Sequence, residues 1–399
     1  MDKFGFDEEA RQVTLREIAD VITKGTTPTT LGYDFQDEGI NFLKIECFDE
    51  AGNYLGNCAH ISEECNEKLS RSKLQENDIL FSIAGAIGRV AIVTEDLLPA
   101  NTNQALAIIR ISGDEVYLPY IKLILQSGIV RRQFEKQKQG VAQLNLSLKN
   151  IGDLIIPLFS KERQMEFVEL FSKVQVLIDN RRSQLVELDT LIKARFVEMF
   201  GTLQNPALEF KRDVLKNLCF KITDGKHGGC KAEEGTERYF VGAREIYDDE
   251  IHYDTAPEIN VDEFEKDYKR CNVEIGDFLI VNTGATIGKS AIAMDERTTH
   301  TLLQKSVALL KIDPEVLNPV FLKWCYRVNT SMYMVESASA QPNLLLSKIN
   351  VTEIYVPDLE LQNQFADFVI QVDKLKVEVQ KSLDEMQILF DSLMQEYFG

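Results

Sequence analysis

The stretch from Thr283 to Ala293, TGATIGKSAIA, holds a glycine, a short spacer and then Gly288-Lys289-Ser290, residue types that in the right order wrap the phosphates of a nucleotide. A loop of that kind reads G-x-x-x-x-G-K-[ST], because four intervening residues let successive backbone N–H groups curl round the anion. Here only Ala285, Thr286 and Ile287 separate Gly284 from Gly288, and Thr283 stands where the first glycine belongs. ATP or GTP chemistry is therefore not expected from this loop.

Other reactive groupings are equally incomplete. Cys58, His60 and Cys65 could be imagined on a metal, but no fourth ligand accompanies them at the tight paired spacing of a structural zinc site. The four histidines (His60, His227, His252, His300) are scattered, and no G-x-S-x-G, H-E-x-x-H or dinucleotide fingerprint occurs. Asn205 to Leu208, NPAL, lacks the second proline and the aromatic residue of the loop with which amino-methyltransferases hold a flipped adenine. The sequence thus points away from catalysis and towards binding.

The chain has 399 residues, 44% of them hydrophobic, which is more than one ordinary domain needs. No apolar run reaches the roughly 20 residues that span a bilayer, and the start MDKFGFDEEARQ is too polar for a secretory signal. Seven cysteines without any C-x-x-C argue against a disulfide framework and fit a reducing cytoplasm. The formal charge is −19, and residues 1–155 carry 16 Lys+Arg against 23 Asp+Glu, residues 202–355 18 against 24. Contact with a polyanion would need a local patch or a partner's help.

What organises the chain is an internal duplication. LREIADVITKGTTP (Leu15 to Pro28) aligns with LKNLCFKITDGKHG (Leu215 to Gly228), both with Ile-Thr-x-Gly. NDILFSIAGAIGRVAIV (Asn77 to Val93) aligns with GDFLIVNTGATIGKSAIA (Gly276 to Ala293) after a one-residue slip. The first copy has Arg89-Val90 where Lys289-Ser290 stand, so the loop reads as a strand-turn-strand with a basic side chain at its tip. Gln104 and Gln304 follow, then QLNLSLKNIGDLIIP and QPNLLLSKINVTEIYVP, and each copy closes on Phe-Gly. A period near 200 residues is a duplicated domain, not a solenoid unit.

Short strands such as NFLKIECF, DILFSI, RVAIV and LAIIRI in the first copy, and RYFVGA, DFLIVN and VALLKI in the second, alternate with helical patterns such as YLPYIKLILQSGIVRRQFEKQ. This predicts α+β domains with a mainly antiparallel or irregular sheet. After Pro157 and Pro357 the pattern changes to a 3,4 apolar spacing: Phe171, Val174, Ile178, Arg181, Leu185, Leu188, Ile192, Arg195, Met199, and Phe365, Phe368, Val372, Leu375, Val379, Ser382, Met386, Leu389, Leu393. Each segment is expected to be a helix of about 40 residues, roughly 60 Å long. Seams of equal length predict that the two pair antiparallel as a coiled coil.

The polar turns supply the binding candidates. TKGTTPTT offers Lys24, Thr26 and Thr27; its counterpart TDGKHGG offers Lys226 and His227. KQKQGVAQLN offers Lys138, Gln143 and Asn145, and ESASAQPN offers Gln341 and Asn343. Lys44, Arg89, Gln104, Arg244, Lys289 and Gln304 complete the set. Gln and Asn amides pair bidentately with adenine edges, while Lys and Arg suit guanine or phosphate.

In their order, occurring twice, these marks resemble the DNA-specificity subunits of type I restriction-modification systems. The likeness covers the whole chain: the Ile-Thr-x-Gly starts, FLKIECF and YFVGAREI, the GAIGRVAIV and GATIGKSAIA turns, the NLSLKNIGDLIIP and NLLLSKINVTEIYVP closings, and the long helices. The resemblance implies target-recognition domains at 1–155 and 202–355 and spacer helices at 156–201 and 356–399, arranged as a pseudo-twofold internal repeat. It implies a non-catalytic chain without a cofactor of its own, which reads a bipartite asymmetric site on double-stranded DNA. Two modification subunits carrying S-adenosylmethionine would methylate adenine there, restriction subunits being further partners. The rival reading from another class is a coiled-coil adaptor whose similar end domains bind proteins.

Overall fold

The structure is a computed structural model and describes residues 10–135, 145–332 and 344–398. The chain divides into two compact units, Met1–Asn180 with Ser382–Gly399, and Arg181–Lys381. The boundaries cut through both long helices, so each unit is a globular part plus a portion of each helix.

The first unit contains β1 (Arg11–Thr14), β2 (Val21–Lys24), β3 (Ile40–Leu43), β4 (Ala59–Ile61), β5 (Ile79–Ser82), β6 (Val90–Ile92), β7 (Ala100–Thr102) and β8 (Leu106–Arg110). Helices α1 (Leu118–Gln126) and α2 (Gly128–Glu135) follow, then β9 (Ile155–Leu158) and the long α3 (Lys161–Phe200), which runs on into the second unit. The central sheet is antiparallel in the order β2-β8-β5-β6; a smaller sheet runs β4-β3-β7, and β1 pairs with β9. Ile79 and Phe81 belong to one core cluster with Ile109, Tyr120, Ile124 and Phe134, while Leu80, Ala91 and Ile108 belong to another with Leu43, Phe48 and Leu74. Side chains alternate across a strand, so a sheet covered on both faces reads as the unbroken apolar run Ile79-Leu80-Phe81.

The second unit repeats this plan. Its strands are β10 (Lys211–Val214), β11 (Cys219–Asp224), β12 (Tyr239–Val241), β13 (Ile246–Tyr247) and β14 (Glu250–Ile251). Then come α4 (Val261–Tyr268), β15 (Phe278–Val281), β16 (Ser290–Ile292), β17 (Thr301–Leu303), β18 (Val307–Ile312), α5 (Pro319–Val328), β19 (Glu353–Val356) and the long α6 (Leu359–Phe398). The sheet order β11-β18-β15-β16 and the β10/β19 pair match the first unit strand for strand. Both units also hold a parallel strand pairing, β3 with β7 in the three-stranded sheet and β12 with β17 as a sheet of two.

Three local elements differ from what the sequence pattern predicts. NFLKIECF is not one strand: β3 stops at Leu43 and a 3-10 turn takes Ile45–Cys47. The helical run after Tyr117 is two helices parted at Ser127, whose hydroxyl and N–H both turn back to the Ile124 carbonyl. The long helices each span 40 residues, but their buried stripes depart from the expected seams. Phe196 and Phe200 are buried where Arg195 is exposed, and Leu375 and Leu389 are 50% and 49% exposed. Bulky aromatic rings decide which stripe turns inward: within the first unit Phe171 meets Phe390 at 5.2 Å and Phe167 meets Phe398 at 5.0 Å, within the second Phe196 meets Phe365 at 5.3 Å. Such pairs contribute about 0.5–1.5 kcal/mol each beyond their buried area. A left-handed Gly201 (φ 72°) ends α3, its N–H donating to the Val197 carbonyl.

Candidate nucleic-acid interface

In each unit the described candidate residues gather where the strands of the central sheet end. Lys24 pairs with Ala107, Ser82 with Leu106 and Phe81 with Val90, so β2 and β5 finish where β6 and β8 begin. The corresponding pairs in the second unit are Asp224 with Ala308, Val281 with Val307 and Ile280 with Ser290.

The Ile-Thr-x-Gly signature exists to close that end. The Gly25 N–H donates to the Asn103 carbonyl at 3.1 Å, and a Cβ on Gly25 would lie 1.8 Å from the Thr102 oxygen. Gly225 faces the same obstacle, 2.1 Å from the Leu303 oxygen. Glycine is thus dictated by a close approach of two backbones. It brings Thr27 to Gln104, to whose side-chain oxygen the Thr27 hydroxyl donates. Thr26 is half-buried in the same loop, and Lys24 is exposed at the strand end.

Lys44 follows β3, beside the same turn because Leu43 pairs with Thr102; its ammonium sits 4.5 Å over the Phe35 ring. Behind it lies a buried polar network that the sequence did not disclose. Ser72 donates to Asn101 (2.7 Å), Asn101 to Asn66 (2.9 Å), and the Thr102 hydroxyl to the Leu43 carbonyl (2.7 Å). Buried polar groups satisfied in this way hold a loop in one position.

The β5–β6 and β15–β16 connections correct the expected tight turn with a basic tip. Arg89 and Lys289 stand at the re-entry into the second strand, their carbonyls accepting from the Ser82 and Val281 N–H groups, while the loops between carry left-handed glycines at 85 and 88 and at 284 and 288. Arg89 is half-buried, with Nη1 3.5 Å from the Phe48 carbonyl; Lys289 is exposed. The second loop leads into a strand, whereas a phosphate-binding loop must open a helix.

Asn145 is exposed next to Leu146, whose N–H donates to the Ile83 carbonyl, so this segment returns to the same end. Leu344 does likewise on Asn282. Lys138, Gln143, Gln341 and Asn343 lie outside the described residues.

The second unit spends more of its charge internally. The Lys226 ammonium is 2.8 Å from Asp267 and 3.5 Å from Glu263 on α4, and the Asp267 hydrogen bond holds it protonated well above the ordinary lysine range. Exposed His227 lies 3.7 Å from Asp224, whose other oxygen takes Arg270. Gln304 packs beneath Gly242, where a Cβ would meet its side-chain oxygen at 2.4 Å, and its N–H donates to Val241. Arg244 is exposed just past β12. Among the described residues no helix is long and apolar enough to cross a membrane, and no group of three or more metal-ligating side chains assembles. Cys65 packs with Phe42 and Ile61, apart from the Cys58–His60 contact at 4.0 Å.

Two matched α+β units, each with a donor-rich loop cluster at one end of its sheet, make this an internally duplicated chain. The chain belongs to the type I restriction modification DNA specificity domain family, which matches residues 7–188 and 220–385. It is 32% identical over 156 residues to the specificity subunit of type I restriction enzyme EcoBI of Escherichia coli. That match covers 39% of this chain and 32% of the relative, so it spans about a third of the relative's length. The fold recurs in a chain from a structure concerning complex assembly and conformational transition of a type I R-M system, with TM-score 0.64, 16% identity and 98% of both chains covered. It is also similar to the type I restriction-modification S subunit from M. genitalium, with TM-score 0.51, 16% identity, and 100% and 98% covered.

Proposed function

We propose that this chain is the non-catalytic DNA-recognition subunit of a cytoplasmic type I restriction-modification complex, reading a bipartite asymmetric site on double-stranded DNA. Residues 1–155 and 202–355 each read one half of the site; segments 156–201 and 356–399 are spacers that form an antiparallel coiled coil and set the distance between the halves, giving the chain a pseudo-twofold internal repeat. The observation that carries this reading is the convergence, twice, of equivalent loops carrying Lys, Arg, Thr and Gln on the same end of the same sheet. Antiparallel pairing is supported within each unit, where residue numbers rise along α3 as they fall along α6: Phe167 and Phe171 against Phe398 and Phe390, Asp189 and Phe196 against Lys376 and Phe365. Because the loops of the two halves differ, the half-sites differ.

The partners are two modification subunits, which supply S-adenosylmethionine and the methylation of adenine, with restriction subunits joining for cleavage. An adenine must leave the duplex to be modified, so this chain's task is to fix the register while the partner works. Sequencing methylated adenines in host DNA with and without the chain tests the reading, followed by exchange of residues 1–155 for those of a relative. A methylated two-part sequence should require the chain, and the exchange should alter one half only. Methylation indifferent to the chain, or an exchange that alters both halves, overturns it.

A further inference from the structure

Resting on the DNA-recognition reading above, we infer that the face of α2 bearing Arg131 and Arg132 grips DNA phosphates in the first domain and has no equivalent in the second. The chain carries 63 Asp+Glu against 44 Lys+Arg, so attraction for a phosphate backbone depends on cations that the fold does not spend on its own carboxylates. At the recognition end of the second domain two are spent in this way, Lys226 on Asp267 and Glu263 and Arg270 on Asp224. Arg131 and Arg132 are both exposed, and among the described residues neither guanidinium has a carboxylate or hydrogen-bonding partner. Guanidinium groups left free in this way suit bidentate pairing with phosphate oxygens.

Their position is set by the other faces of the same helix. Val130 and Phe134 are buried, and the Phe134 ring lies 3.5 Å from the Cβ position of Gly88, placing α2 beside the β5–β6 loop that ends in Arg89. Gln133 exchanges two hydrogen bonds with the Ile155 backbone on β9, at 2.8 and 2.9 Å. Two residues along a helix amount to about 200° of rotation, so Arg131 stands on the flank turned away from β9. Arg132 is folded back over its own helix, with Nη1 3.4 Å from the Cβ position of Gly128. Glu135, one turn beyond Arg131, is exposed and does not reach it.

The second domain differs at this point. After α5 the chain makes a 3-10 turn, Thr330–Met332, of Thr-Ser-Met without a cation, and Lys323 and Arg327 on α5 are both paired with Asp249. Phosphate grip is therefore unequal between the two half-sites.

The test uses the full chain assembled with its modification subunits, a fluorescent duplex containing the methylated sequence, and a second duplex of scrambled sequence. Binding is measured by anisotropy across about 50–200 mM salt, a range over which phosphate contacts change affinity steeply. Arg131→Ala/Arg132→Ala should flatten the slope of log K against log salt by about 1–2 and weaken both duplexes by a similar factor, with the methylated sequence unchanged. Arg131→Lys/Arg132→Lys should keep the slope. A wild-type slope in the alanine variant, with its melting temperature preserved, overturns the inference alone. So does a changed methylated sequence, which would make the arginines base readers. A wild-type assembly that ignores both duplexes overturns the DNA-recognition reading itself.

Discussion

Arg110 holds Asp78 bidentately, Nε to Oδ1 and Nη2 to Oδ2 both at 2.7 Å, with the Asp78 side chain fully buried. The second oxygen also accepts the Gln75 N–H at 2.8 Å, so the carboxylate ties the start of β5 to the end of β8. Removing one partner of a buried pair strands the other's charge, at a cost of about 3–5 kcal/mol. Arg110→Ala should destabilise the first unit by that amount in urea melts, and Arg110→Lys by clearly less, because the second domain makes the same tie with Lys311. A loss under about 1 kcal/mol for alanine would contradict a buried, dependent carboxylate.

That counterpart predicts a pH dependence. Burial alone would lower the Lys311 ammonium, but hydrogen bonds to Asp277 (2.8 Å) and Glu274 (3.0 Å) outweigh it and hold the group above the ordinary lysine range. Burial likewise raises Asp277, against the pull of Lys311. A lysine raised in the folded state contributes stability that is fully present below its unfolded value and is lost as pH rises through the folded value. Melting of the second unit should therefore weaken from about pH 10 upward. Lys311→Arg keeps a cation that does not titrate in this range and should abolish that loss while leaving neutral-pH stability nearly unchanged. An identical alkaline profile in both proteins would refute this.

Two buried glutamines fasten the long helices to their domains. Gln164 accepts from the Tyr117 N–H and donates to the Glu115 and Phe159 carbonyls, all at 2.8 Å. Gln362 does the same for Asn318, Val316 and Pro357, at 2.8, 3.0 and 2.8 Å. Only an amide supplies an acceptor on one side and two donors on the other. Gln164→Leu or Gln362→Leu should cost on the order of 1–3 kcal/mol and speed hydrogen exchange at the Tyr117 or Asn318 amide. Glutamate should be worse than leucine, since it turns a negative acceptor towards two carbonyls. Tolerance of glutamate at either site would show that the bonds carry no weight.

Much of this organisation is legible in the sequence, because duplication sets each motif beside its equivalent. The paired turns, the matching strands and the two 40-residue helices all follow from it. What stays hidden depends on contacts between distant residues. The spacing rule puts Arg195 in the seam, yet Phe196 is buried because rings from α5 and α6, Phe321 and Phe365, meet it. Lys226 reads as a free cation until α4 brings Asp267 to it. Gln164 and Gln362 look like ordinary polar residues near a helix start, and only the carbonyls that converge on them disclose their role. Arg131 and Arg132 gain meaning from the placement of Phe134 against Gly88.

The recognition ends are most sensitive at Gly25 and Gly225, whose backbones press on the turns at 103 and 303 at distances no Cβ tolerates. Alanine at Gly25 must push the Thr102–Asn103 backbone away and take Gln104 with it, at a cost towards or beyond the upper end of about 1–3 kcal/mol for overpacking. Gly113 is the control, since it has ordinary φ and nothing within 4 Å of its Cβ position. Gly25→Ala should lower the melting temperature and disturb the half of the methylated sequence assigned to residues 1–155, Gly225→Ala the other half, and Gly113→Ala neither. If Gly25→Ala and Gly225→Ala blurred the same half, the assignment of one half-site to each domain would fail even with both glycines structurally essential.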